Sequence, residues 1–225
     1  MAEVTPLLSA SAIVLRDAPL EVLMLRRLSS ASFVPDLWVF PGGVAEAEDH
    51  EGTTDVVDAM RVTAARELFE EAGVWLGASA PSEEQRQRLL RGEVSFRELY
   101  VGRASARPDS AAGRAEARPT LDLAQLVLTS HWVTPVGVPK RFDTYFFLVK
   151  VSRDVVATLH AEEARELRWI APQEALETLD IIFPTRKNLE AIAGFATADE
   201  LLGSRRGADI PTIQPIIVDK KIRLP

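Results

Sequence analysis

Three carboxylates within five residues constrain this chain more than any other feature. They belong to Glu67, Glu70 and Glu71. In a helix these residues stand at i, i+3 and i+4, so they share one face with Cβ atoms about 5–6 Å apart. Each i,i+4 pair of like charges destabilises an isolated helix by about 0.2–0.5 kcal/mol. A divalent cation would reverse that effect, and magnesium prefers hard oxygen ligands such as carboxylates and substrate phosphates.

The residues around the three acids predict a helix over 55–74. Arg66 precedes Glu70 by four residues and can pair with it, and Gly73 closes the run as glycines past helix ends often do. An apolar stripe on the opposite side predicts packing on a core; it is formed by Val57, Met60, Ala64, Leu68 and Ala72. The acidic face would then point away from the core, onto a cleft or into solvent. The spacing alone does not choose between a metal site and a solvated acidic face.

The stretch from Arg66 to Val74 resembles the second half of the Nudix box, R-E-U-x-E-E-x-G-U with U aliphatic, at every defined position. The Pro41-Gly42-Gly43 turn is similar to the phosphate-proximal turn of that family. The resemblance implies an α+β fold, a Nudix-type α/β/α sandwich around a mixed β-sheet, here with a helical insertion and a C-terminal helical extension. It also implies hydrolysis of a nucleoside diphosphate linked to another moiety, with Mg²⁺ or Mn²⁺ as the cofactor.

The resemblance assigns roles to the matching positions. Glu70, Glu71 and the carbonyl of Gly42 would hold the metal. Glu67 would be the general base or a further ligand, and the two alternatives stay open. Arg66 would orient the carboxylates without taking part in the chemistry.

Residues outside the box complete the predicted site. In Nudix proteins an acid ahead of a later strand often adds a metal ligand, and Glu163 is our first choice for it, with Glu166 second. A solvated acidic turn is the alternative for either residue. Arg27, Lys140 and Arg141 are the predicted contacts to substrate phosphates, although Lys140 and Arg141 can equally be ordinary surface cations. His160 has no motif around it, and we expect a structural or exposed role for it.

One acid of the box is displaced. The usual box places a glutamate six residues after the second glycine and eight before the arginine. Asp49 meets the first spacing and Asp58 the second, so the connection is nine residues longer than usual. Either aspartate, or neither, would take that role.

Apolar patterning predicts the remaining elements. Strands are expected at 9–15 and 21–27, joined as a hairpin, and at 37–40, 126–134, 140–149 and 167–170. Helices are expected within 81–100, 172–179 and 183–195, the last with Thr185 as a candidate cap. The segment 101–119 is interpreted as a flexible connector or as a lid that carries cations. We predict a single domain over 1–225, with a helical or lid insertion at about 76–125 and a C-terminal extension at about 184–225.

The amino-acid composition limits the classes of partner that we expect this protein to bind. The net charge of −7 argues against nucleic acid, which is bound by basic surfaces. The absence of cysteine removes disulfides and thiolate metal sites and suits the cytoplasm, where we expect the protein. Neither a signal peptide nor a membrane span is expected. The expected partner is a small-molecule diphosphate, and the oligomeric state is open, with a homodimer as one alternative.

The lengthened box resembles the branch of Nudix hydrolases that contains the peroxisomal coenzyme A diphosphatases. Stretches such as Trp132-Val133-Thr134-Pro135 and Phe183-Pro184-Thr185 are similar to that branch as well. This resemblance implies coenzyme A or an acyl-coenzyme A as a candidate substrate. The alternative from another class is a Nudix-fold module that binds or senses a nucleotide without cleaving it.

Overall fold

The structure is a computed structural model that describes residues 4–101, 119–218 and 221–224. The strands are β1 (Leu7–Arg16), β2 (Glu21–Arg27), β3 (Trp38–Val39), β4 (Gly42–Val44), β5 (Val127–Val133), β6 (Phe142–Lys150), β7 (Ala164–Ile170), β8 (Thr212–Ile213), β9 (Ile216–Val218) and β10 (Lys221–Arg223). The helices are α1 (Val56–Ala72), α2 (Glu83–Leu90), α3 (Phe96–Val101), α4 (Pro172–Thr178), α5 (Phe183–Ile192) and α6 (Ala198–Arg205), with short 3₁₀ helices at Ala47–His50 and Leu123–Gln125. Most of the predicted connector or lid, 102–118, lies outside the described residues.

A mixed sheet of eight strands forms the centre of the molecule, in the order β3-β2-β1-β6-β5-β8. Strand β1 pairs with β6 in parallel and with β2 in an antiparallel hairpin, as predicted for 9–15 and 21–27. Strand β4 adds to β1, and β7 adds to β2. The expectation of a mixed β-sheet is confirmed.

The central strands are apolar on both faces because both faces are covered by helices. Along β1, Ala12 and Val14 face one core while Ile13 and Leu15 face the other. The first core packs against α1, α2 and α3, and the second against α4, α5 and α6. This arrangement is the expected α/β/α sandwich.

Helix α1 forms where the sequence predicted it. Asp55 caps its start by accepting a hydrogen bond from the Asp58 amide, and Gly73 ends it in the left-handed conformation at φ 66°. Glycine adopts that conformation without the steric cost that a side chain imposes. Met60 and Leu68 of the predicted stripe are fully buried in the first core. Glu67 and Glu71 are buried as well, and Glu67 follows Met60 by seven residues, so the acidic side of the helix adjoins the stripe instead of lying opposite to it.

Two local expectations were wrong. Thr185 is not a cap, because α5 begins at Phe183 with Pro184 in its first turn and Ile182 as the N-cap, and Thr185 is buried inside that turn. Strand β7 begins at Ala164, so Glu166 lies within the strand opposite Arg26 instead of on a turn. The long connection of the box, 45–54, contains the 3₁₀ helix Ala47–His50.

The C-terminal segment contributes to the sheet and also forms a structure of its own. Strand β8 pairs in parallel with β5 at the sheet edge. Strands β9 and β10 form a separate two-stranded antiparallel sheet. No helix in the described parts of the chain has the length and apolar character needed to cross a bilayer.

Candidate metal centre

Helix α1 and the glycine turn meet at very short range. The amide of Gly42 donates a hydrogen bond of 2.8 Å to Oε2 of Glu71. A Cβ atom on Gly43 would stand 2.3 Å from Oε1 of Glu67. Since no side chain fits in that space, the glycine allows the backbone of β4 to approach the two carboxylates.

The segment before β7 brings a third acid to the same place. Its backbone is bonded to the end of α1, since the Thr158 amide donates to the Ala72 carbonyl at 2.7 Å and the His160 amide to the Glu71 carbonyl at 3.0 Å. Glu163 follows three residues later. As a result, Glu67, Glu71 and Glu163 each offer a carboxylate oxygen, and these oxygens lie within 4.8 Å of one another. We refer to these three residues as the carboxylate cluster.

Burial makes the cluster electrostatically costly in the absence of a cation. Glu67 is 9% exposed and Glu71 is 4% exposed. Burial raises the pKa of Glu71 well above its usual value, and the charges of Glu67 and Glu163 raise it further. Burial likewise raises the pKa of Glu67 to about 7, although the neighbouring Arg66 opposes the shift. Glu163 is exposed, so two members of the cluster are buried and the third opens to solvent. Converging carboxylate oxygens fit a hard divalent cation such as Mg²⁺ or Mn²⁺.

Arg66 is the centre of a buried network beside the cluster. Its guanidinium donates to Glu67 at 2.9 Å, to Glu70 at 3.0 Å, to Asp49 at 3.0 Å and to the carbonyl of Val44 at 2.9 Å. These anionic partners raise the pKa of Arg66, so the cation is permanent. The arrangement fits the orienting role that the sequence predicted.

The structure brings Asp49, and not Asp58, to Arg66. Asp49 is 2% exposed and also accepts hydrogen bonds from Thr63 and from the Glu46 amide. The side chain of Asp58 is 41% exposed and pairs with Arg61 at the start of α1. The 3₁₀ helix Ala47–His50 turns Asp49 inward, and this turn was not visible in the spacing of the box.

Glu70 is separated from the other two acids of the box. Its Oε2 is held by Arg66, and it does not belong to the carboxylate cluster. Burial and the charge of Glu67 raise the pKa of Glu70 to about 7, against the effect of Arg66. Its role as a metal ligand, like that of the Gly42 carbonyl, stays a prediction.

A cleft of about 360 Å³ opens beside Glu70 and Glu163. Helices α2 and α3 supply an apolar wall through residues such as Leu89 and Phe96. His160 also lines this cleft, with Nδ1 3.6 Å from Oε1 of Glu163. No motif in the sequence pointed to His160, because its place at the cleft depends on the backbone bonds that tie this segment to α1.

The three predicted substrate cations lie in different surroundings. Arg27 is close enough to Glu71 for its charge to oppose the rise in the pKa of that carboxyl, and its Nε donates to the carbonyl of Phe33. The ammonium of Lys140 stands 5.2 Å from the centre of the Phe142 ring. Arg141 is buried and donates to the carbonyls of Thr134 and Val4, which fixes it in the scaffold. The described contacts therefore favour Arg27 over the other two, and the substrate contacts stay predictions.

The fold is that of a Nudix domain. The family profile of the NUDIX domain matches residues 6–190, and the chain belongs to this family. It is similar to the putative nudix hydrolase 7 of Caenorhabditis elegans, with 31% identity over 176 residues that make up 75% of this chain and 52% of the relative. It is also similar to the acyl-coenzyme A diphosphatase NUDT19 of Xenopus laevis, with 26% identity over 205 residues, 70% of this chain and 54% of that protein.

A solved structure supports the same assignment. The crystal structure of a NUDIX hydrolase from Alicyclobacillus acidocaldarius matches with a TM-score of 0.74 and 26% identity, covering 90% of this chain and 97% of that one. The chain spans about half the length of the curated relatives it matches.

Proposed function

We propose that this chain hydrolyses the diphosphate linkage of a nucleoside diphosphate derivative with the help of a divalent cation. The observation that carries the proposal is the carboxylate cluster, in which oxygens from two segments far apart in the sequence converge within 4.8 Å. Helix geometry brings Glu67 and Glu71 together, but it does not explain the approach of Glu163. The metal-free fold does not gain stability from this approach, because bringing like charges together is unfavourable. A bound cation removes that penalty.

When bound, the cation would neutralise phosphate oxygens and lower the pKa of the attacking water. Glu71 and Glu163 would hold it, and the Gly42 amide would fix the orientation of the Glu71 carboxylate. Glu67 would be either a third ligand or the base that takes the proton from water. Arg66 would keep Glu67 and Glu70 in place.

Coenzyme A and acyl-coenzyme A are the substrates that we propose to test first. The support is the similarity to a protein named acyl-coenzyme A diphosphatase, together with the lengthened box. The cleft beside Glu163, with its apolar wall from α2 and α3, would receive part of the substrate. The cytoplasmic location and the homodimer stay predictions.

The non-catalytic sensor is disfavoured by one observation. The loss of an acid from the box would favour a module that does not cleave its ligand, but Asp49 supplies a carboxylate to Arg66. Tight binding of a nucleotide ligand in calorimetry, without any hydrolysis in Mg²⁺ or Mn²⁺, would nevertheless decide in its favour.

The test compares Glu71→Gln with Glu166→Gln on a panel that contains coenzyme A, an acyl-coenzyme A and ADP-ribose. We expect Glu71→Gln to lower metal-dependent product release by about 100-fold or more, because positioning and charge neutralisation carry most of phosphoryl transfer. Glu166→Gln is the matched control, since Glu166 lies in β7 outside the cluster and pairs with Arg168. Equal turnover in both variants would refute the proposal.

A further inference from the structure

A buried arginine of the helical insertion joins the two segments that carry the carboxylate cluster. Arg86, in α2, is 2% exposed. Its Nε donates to the Phe69 carbonyl at 2.9 Å, and its Nη2 donates to the carbonyls of Glu70 at 2.8 Å and Thr158 at 3.0 Å. A single guanidinium therefore binds three backbone carbonyls that come from two different parts of the chain.

The first two carbonyls belong to the last turn of α1. Carbonyls at a helix C-terminus lack partners within the helix, and the negative end of the helix dipole favours a cation there. Arg86 supplies both a donor and a cation at this end of the helix, where the Phe69 carbonyl also accepts from the Gly73 amide at 2.9 Å. It holds the backbone of the turn that carries Glu71.

The third carbonyl, of Thr158, belongs to the segment that leads to Glu163. This segment is already tied to α1 by two backbone hydrogen bonds, from the Thr158 and His160 amides. Packing at the junction is tight, since a Cβ atom on Gly73 would stand 3.3 Å from Nη1 of Arg86 and 3.4 Å from the Thr158 side chain. Arg86 supplies the side-chain bonds at this junction, so they can be removed by substitution without altering the backbone.

We propose that Arg86 is a positioning residue for the metal centre: by bonding the end of α1 to the 158–163 segment, it holds Glu163 at ligand distance from Glu67 and Glu71. This inference rests on the proposed function. Its physical basis is that the three carboxylate oxygens converge only while two separate backbone segments keep their relative position. Loss of three hydrogen bonds at the junction leaves buried carbonyls without that donor and allows the segments to move apart.

Metal affinity is the direct measure of this role. Residues that orient metal ligands without touching the metal typically change its affinity by about 10–100-fold when they are substituted. We expect Arg86→Met, which keeps much of the side-chain volume but no donor, to raise the Kd for Mn²⁺ by about tenfold or more. Arg86→Lys keeps a cation with fewer donors and should give a smaller rise. The Kd is measured on the full chain by the electron paramagnetic resonance signal of free Mn²⁺.

Two controls separate positioning from a general loss of stability. Glu83→Gln removes the exposed acid that lies 3.6 Å from Nη1 of Arg86 and leaves the three carbonyl bonds intact. Leu189→Ala opens a cavity in the second core, on the other side of the sheet. Both should bind Mn²⁺ as the wild type does, at a temperature where circular dichroism shows them folded. For Arg86→Met, excess Mn²⁺ should also restore part of the lost kcat.

Each outcome decides the inference. A Kd for Arg86→Met within twofold of the wild type overturns it, as does an equal rise in Leu189→Ala. If Arg86→Met does not fold, Arg86→Lys decides, and an unchanged Kd in that variant overturns the inference. In these cases the proposed function stands, because the wild type still binds Mn²⁺. A wild type that binds no Mn²⁺ overturns both.

Discussion

Replacing Glu67 by glutamine should reduce the stability that the metal-free protein loses as the pH rises from 5 to 8. In the folded state, burial raises the pKa of Glu67 from 4.5 to about 7. The folded protein therefore holds a proton that the unfolded chain has released, and its stability falls as the pH rises between those two values. For a single group with these pKa values, the loss between pH 5 and pH 8 is about 2.5 kcal/mol.

The charge of Glu67 also raises the pKa of Glu70 and Glu71, so its removal relieves these carboxyls as well. The pH-dependent loss should therefore be smaller in Glu67→Gln than in the wild type by about 2.5 kcal/mol or more. The assay is urea denaturation in EDTA at pH 5 and pH 8. Glu166→Gln is the matched control and should retain the wild-type loss.

Adding Mn²⁺ at pH 8 provides the second half of this test. The wild type should regain stability, because a cation that binds only the folded state shifts the equilibrium toward it. Glu67→Gln should regain less. An identical pH dependence in Glu67→Gln and the wild type would refute the argument that the cluster is destabilised by its own buried charge.

Two further predictions test the geometry of the site, and the second compares a pair of matched variants. Gly43→Ala should lower the affinity for Mn²⁺ by about tenfold and the free energy of unfolding by about 1–3 kcal/mol, because the new Cβ would stand 2.3 Å from the Glu67 carboxylate. The electron paramagnetic resonance signal of free Mn²⁺ measures the first effect, and urea denaturation measures the second. Asp49→Asn should destabilise the fold by about 3–5 kcal/mol because it breaks a buried ion pair with Arg66, whereas Asp58→Asn should change stability by about 1 kcal/mol or less. Equal midpoints for the two asparagine variants in urea would contradict the assignment of Asp49.

Local features were predictable because their causes lie within a few residues. The start of α1 at Asp55 and its end at Gly73 follow from capping chemistry. The buried stripe of that helix follows from its 3.6-residue period. The hairpin of β1 and β2 follows from two apolar runs around a short turn.

Features that depend on distant contacts were not predictable in the same way. The candidate cap Thr185 is instead buried in the first turn of α5. Arg141 looks like a surface cation in the sequence, but it donates to two backbone carbonyls and is buried. Nothing near Arg86 or His160 in the sequence marks them, since their partners come from other segments.

By itself, the sequence determined that Glu67, Glu70 and Glu71 share one helix face, and that a glycine turn can approach them. Only the tertiary structure showed that these three acids have different partners. Glu70 accepts a hydrogen bond from Arg66 and lies outside the carboxylate cluster, whereas Glu67 and Glu71 lie close to Glu163. It also chose Asp49 over Asp58 as the partner of Arg66. The physical reason is that spacing fixes the relative position of residues within one helix, whereas contacts between helix, turn and loop depend on how the backbone of each is bonded to the others.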